Sequence, residues 1–117
     1  MSIRSDMIRA AARAKTHLRD SASAAAEYLR SHQNPDGGFR DRAGTSDLYY
    51  TVFGIEGLAA LGGAFDRAAA REYLRSFGEG ETLDFIHLAC LIRGWADLSD
   101  EPLDPNVRQG LLRNLLT

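Results

Sequence analysis

The chain has 117 residues, 44% hydrophobic and 26% charged, with 14 cations (13 Arg and one Lys) against 16 acids and a net charge of −2. This composition suits one globular domain with a single core, and its charge is wrong for a protein whose main partner is nucleic acid. A lone Cys90 excludes an internal disulfide. Charges at Arg4, Asp6, Arg9 and Arg13 leave no apolar signal region, and no run reaches the ~18–20 apolar residues of a membrane span, so a cytoplasmic protein is expected.

Residues 4–31 are expected to form a helix, with Ile8, Ala11, Lys15, Leu18, Ala22, Ala25 and Leu29 recurring at spacings of three and four. The cluster Asp20-Ser21-Ala22-Ser23 is a candidate break or kink. Arg9, Arg13, Lys15 and Arg19 form a basic face, read as solvated or as docking an acidic partner. Asn34 precedes Pro35 and is pushed out of the helical region, so the helix should end near Gln33. Pro35-Asp36-Gly37-Gly38 then supplies the chemistry of a tight turn.

A second helix should start at an N-cap of Thr45 or Ser46, with Asp47 in its first turn, and run to Gly62-Gly63. The third should cover 66–77, with Ala69, Ala70, Tyr73, Leu74 and Phe77 on one face and Arg67, Arg71, Glu72 and Arg75 on the other. The fourth should span 82–98. The fifth has Asp104 as N-cap and Pro105 at its first position, followed by Val107, Leu111, Leu112, Leu115 and Leu116.

Helices one, three and five are amphipathic. Helices two and four are apolar all round, which predicts burial on all sides. The alternation describes helical hairpins in an outer and an inner layer. Glu27-Tyr28-Leu29-Arg30-Ser31 returns as Glu72-Tyr73-Leu74-Arg75-Ser76, as in repeat arrays. Repeats are expected at 24–62 and 68–98, with a half repeat at 104–117, all within one domain over 1–117. The chain then stops after an outer helix. The inner layer is expected to be bare on one side, completed by self-association as a homo-oligomer or by a missing remainder.

The layout helix–Gln33-Asn34-Pro35-Asp36-Gly37-Gly38-Phe39–loop–helix, and above all the stretch from Asp47 through Tyr49, Tyr50, Thr51, Phe53, Gly54, Ile55, Gly57 and Leu58 to Gly62, resembles protein prenyltransferase β subunits and the squalene–hopene type of terpene cyclases. That resemblance implies an all-α fold, an α/α toroid of which this chain would hold about two and a half of six hairpins. Its inner helices would line a cavity for an isoprenoid. In the β-subunit segment a histidine before the threonine binds the catalytic zinc; here that position is Tyr50. The Asp-x-Cys pair that supplies further ligands has Asp84 and Ile86 in the only comparable opening, and the cyclases' Asp-x-Asp-Asp motif does not occur. Zinc is therefore not expected as a cofactor, and whether any catalysis survives is open.

Several residues carry two readings. Asp47 is a cavity-mouth acid or a charge complementing a helix dipole. Tyr49, Tyr50 and Phe53 line a ligand cavity or are plain core aromatics. Asp84, His87 and Cys90 form a metal cluster, or His87 is a satisfied polar group beside a core cysteine. Arg40 and Arg42 hold a diphosphate or are solvated loop residues. Gln33, Pro35, Asp36, Gly37, Gly38 and Phe39 are read as a structural rivet, with the Gln33 amide and the Asp36 carboxylate bonding the neighbouring hairpin and Phe39 seated between outer helices. The function this leaves is a module binding an isoprenoid-like apolar ligand without zinc catalysis of its own; a non-catalytic assembly protein and an enzyme fragment are the alternatives.

Overall fold

The structure, a computed structural model, describes residues 2–117; the side chain of Lys15 lies outside the described ones, and with it that residue's expected places on the apolar and basic faces. The elements are α1 (Ile3–Arg30), β1 (Phe39–Arg40), β2 (Ser46–Asp47), α2 (Leu48–Leu61), α3 (Arg67–Arg75), α4 (Phe85–Asp97) and α5 (Pro105–Leu116). The protein is mostly helical. No helix among the described residues is long and apolar enough to cross a membrane.

α1 is continuous, with no break at 20–23. The stretch lacks Pro and Gly, and its alanines keep the helical cost low enough for exposed Ser and Asp to be absorbed. α1 ends at Arg30, with Ser31 as C-cap, and residues 31–33 close one hydrogen-bonded turn. It runs antiparallel to α2: Leu29 reaches Gly57, and Ala26 reaches Gly63 beyond the end of α2. Before about Ala22 there is no more α2 to pack on. The apolar face expected on α1 is accordingly solvated along most of its length, with Ala26 buried and Leu29 half-buried. The N-terminal part projects as an arm, and the molecule extends over 66 × 28 × 23 Å with a radius of gyration of 18.8 Å. A compact chain of this length would have a radius of about 13 Å.

The rest of the chain packs as hairpins. Asp47 rather than Thr45 or Ser46 caps α2, because Ser46 and Asp47 are drawn into antiparallel pairing with Arg40 and Phe39. Asp84 caps α4, which begins at Phe85, three residues after the expected start at 82, since Leu83 belongs to a turn that closes on Gly80. α3 begins after its Asp66 cap and stops at Arg75, and Asp104 and Pro105 open α5. α2 and α4 run parallel, as two cross-links show: His87 faces Asp47 near the N-termini, and Arg93 clasps Glu56 with two bonds of 2.6 Å further along. α1, α3 and α5 flank them, and the core fills the space between, with Leu58, Leu74 and Leu91 fully buried.

Two expectations of burial change. α2 and α4 are covered on the side of the flanking helices only; Tyr49, Phe53, Phe85 and Ile86 stand 59–69% exposed on the other. Arg71, expected on a solvated face, is buried, and its guanidinium meets Asp100 at 2.6 Å and Glu101 at 3.4 Å from the α4–α5 connection.

The junction after α1 is bonded on every side. The Gln33 amide donates to Gly37 O and Asp66 O and accepts from the Asp66 N–H, which ties the first hairpin to the start of α3. Asp36 accepts from Gly38 N and Ser46 Oγ. Gly37 has φ +92°, and a Cβ there would lie 1.8 Å from Ala69 O, so only glycine fits this crossing. Phe39 does not sit between outer helices. It is 2% exposed with its ring on α2 at Gly54, where a Cβ would come within 2.4 Å, and edge-on to Phe65. The missing side chain of Gly54 gives the ring its seat on α2.

Candidate functional site

The β1–β2 loop leaves the junction beside the first turns of α2 and faces the last turn of α1. Between them lies a groove of about 660 Å³ lined by Tyr28, His32, Arg40, Arg42, Tyr50 and Phe53, among others. Four candidate residues, Arg40, Arg42, Tyr50 and Phe53, thus line one groove. Tyr28 on the last turn of α1 and His32 just past its C-cap bring their rings together, tilted by 47° with centroids 4.4 Å apart. Sequence reasoning missed this pair; the available signal was an aromatic and an imidazole at i, i+4 on the last turn of a helix about to bend toward α2.

The two arginines differ. Arg40 donates to Ser31 O at 2.8 Å and is held against the end of α1. Arg42 is exposed, in the turn where Asp41 accepts from Ala43 N and Thr45 N, and has no hydrogen-bond or ionic partner among the described residues. A fixed guanidinium and an available one stand at the polar rim of an aromatic groove. That arrangement can hold an apolar body and fork hydrogen bonds to an anionic head.

Asp47, Tyr49 and His87 lie outside the groove. Asp47 caps α2, accepting from Tyr50 N at 3.1 Å. Tyr49 packs edge-on against Tyr50, centroids 5.8 Å apart, and points into solvent on the bare face. His87 donates from Nδ1 to Asp84 at 2.8 Å, since a carboxylate can only accept, and turns Nε2 toward Asp47 at 3.9 Å. Asp84 is held below the ordinary carboxylate range, first by the backbone N–H of His87 and then by its imidazole. The imidazole is thus bonded to the carboxylate that caps α4 and faces the one that caps α2.

Cys90, one turn on, is half-buried, and burial pushes its thiol up. Ile86, an exposed alkyl group, and Tyr50, a phenol on the groove side, occupy the flanking positions. Among the described residues no three His, Cys, Asp or Glu side chains are grouped to hold a metal ion.

A second acidic group lies farther along the α2–α4 seam. Burial, then Glu56, raises Asp97 to about 6, while Arg93 holds Glu56 below its usual value. Sequence reasoning did not find it, because Glu56 and Asp97 are 41 positions apart and meet only when the helices run parallel. A smaller apolar cavity of about 440 Å³ opens between α4 and α5, with Trp95 and Leu111 in its walls.

No protein-family model matches this chain, and no match was found among curated proteins or solved structures.

Proposed function

We propose that the protein is a binding module of the helical-hairpin kind that resembles prenyltransferase β subunits and terpene cyclases, and that it takes an isoprenoid-like apolar ligand with an anionic head in the groove between α1, the β1–β2 loop and α2. The observation that carries this reading is the convergence of Tyr28, Tyr50 and Phe53 with Arg40 and Arg42 around one groove of about 660 Å³. Ligand cavities commonly measure about 300–1,000 Å³, with apolar walls and a few directing polar groups. The aromatic faces would cover the chain of the ligand, and Arg42 would meet its head. No zinc step is part of this reading.

Calorimetric titration with farnesyl diphosphate, farnesol and inorganic pyrophosphate tests it. Farnesyl diphosphate should bind more tightly than either part. Arg42→Ala should weaken the diphosphate roughly tenfold or more and leave farnesol unchanged, because one charge-assisted bond is worth about 1.5–3 kcal/mol. Phe53→Ala should weaken both. Pyrophosphate binding as tightly as farnesyl diphosphate, or no binding of either, would defeat the reading.

A second reading, assembly through the bare face of α2 and α4, is supported by the exposure of Tyr49, Phe53, Phe85 and Ile86. The two surfaces meet at Phe53, which stands at the edge of the groove and on the bare face.

A further inference from the structure

The arm and the bare face are complementary halves of a contact that one molecule cannot make with itself. Residues 2–21 carry Arg4, Arg9, Arg13, Lys15 and Arg19 against Asp6 and Asp20, a net +3; residues 22–117 carry nine cations against 14 acids, a net −5. Every described side chain from 2 to 21 is exposed, including Ile3 at 80%, Met7 at 67%, Ile8 at 60% and Leu18 at 72%. The bare face offers Tyr49, Phe53, Phe85 and Ile86, with Asp47, Glu56, Asp84 and Asp97 along the two helices that carry them. Arg93 and His87 offset part of that acidity.

The dimensions agree as well. At 1.5 Å per residue the arm is about 28 Å long and α2 about 21 Å, so the arm can cover the whole face. It cannot fold back onto its own face, because α1 is one continuous helix without a hinge that runs antiparallel to α2 and leaves the body beyond the C-terminal end of α2.

We propose that the arm of one copy lies along the α2–α4 face of a second copy, reciprocally, so that the protein is a dimer closed by two arm-on-face contacts. The proposal rests on the assembly reading above and names its occupant. Arm-on-arm pairing would bury the same apolar residues but set +3 against +3. Arm-on-face pairing sets +3 against the acidic body, and charge complementarity of this kind selects partners and orientation. An anionic membrane would also attract a basic apolar helix, but it would leave the aromatic face of the same chain bare.

Sedimentation equilibrium on the full chain tests this. The wild type should be a dimer whose affinity falls with added salt. Arg4→Glu/Arg13→Glu/Arg19→Glu should weaken it roughly 100-fold, from about six exposed pairs lost or reversed, with helicity by circular dichroism unchanged. Asp47→Asn/Asp84→Asn, which keeps both helix caps, should weaken it to a lesser degree. Mixing wild type with the triple Arg→Glu variant should give complexes weaker than the wild-type dimer. A mixed complex tighter than wild type would mean that arms pair with arms and would overturn the proposal. A triple variant that dimerises as well as wild type would overturn it while leaving assembly through the bare face standing. A monomeric wild type would sink both, and co-sedimentation of that monomer with phosphatidylserine vesicles would assign the arm to membranes instead.

Discussion

Glu27-Tyr28-Leu29-Arg30-Ser31 and Glu72-Tyr73-Leu74-Arg75-Ser76 are the same five residues with two different fates. Both close a helix. Ser31 (φ −65°, ψ −14°) and Ser76 (φ −61°, ψ −19°) take the same backbone conformation, and their hydroxyls donate to Tyr28 O at 2.7 Å and Tyr73 O at 2.6 Å. Each arginine pairs with the glutamate three residues before it. Yet Tyr73 is 8% exposed and Tyr28 65%. Local sequence sets how the helix ends, and what lies against it sets what is buried. Tyr73 has a preceding junction to pack on: a Cβ at Gly38 would come within 2.8 Å of its ring. Tyr28 has no such neighbour and is left at the mouth of the groove, where exposure becomes a property a ligand can use.

The comparison breaks most visibly at the tyrosines. Tyr73→Ala should cost about 3–4 kcal/mol in denaturant unfolding, as for a large core side chain, and Gly37→Ala should be similarly severe because the new methyl has no space at Ala69. Tyr28→Ala should change stability by less than about 0.5 kcal/mol while weakening farnesyl diphosphate binding. Equal stability losses at the two positions would show that the buried and exposed copies are not distinct.

A second contrast is in titration. Burial first, then the charges of Asp47 and Asp36, push Tyr73 up to about 12. The folded state therefore holds the neutral phenol more firmly than the unfolded chain, whose tyrosines titrate at about 10. The stability this supplies is fully present below pH 10 and is lost as pH rises from about 10 to 12. In Tyr73→Phe the thermal midpoint should fall less steeply over that window than in wild type, and the phenolate absorbance step near pH 12 should disappear.

The smallest effects should be equal ones. Ser31→Ala and Ser76→Ala each remove one hydroxyl bond to a helix carbonyl and should cost about 0.5–1 kcal/mol apiece. A large difference between them would mean that the cap geometry depends on the tertiary setting after all.

Much of the fold was legible because its signals are local. Asp104-Pro105 opens α5, Gly62 follows the last residue of α2, and Asn34-Pro35 keeps α1 from continuing. What escaped depended on partners distant in sequence. The register of Phe39 and Arg40 with Ser46 and Asp47 moved the α2 cap, and the acids at 100 and 101 drew Arg71 out of solvent. The length of α2 decided how much of α1 could be covered. The candidate site divides along the same line. Arg40, Arg42, Tyr50 and Phe53 were named from local pattern, but that they share a groove with Tyr28 and His32 follows from the antiparallel packing of α1 on α2.

The groove itself can be tested residue by residue. In a nitrogen-15 amide titration with farnesyl diphosphate, shifts should concentrate at residues 40–44 and 50–54 and at Tyr28 and His32. Shifts confined to the α4–α5 cavity around Trp95 and Leu111, or none at all at saturating ligand, would contradict a binding site between α1, the β1–β2 loop and α2.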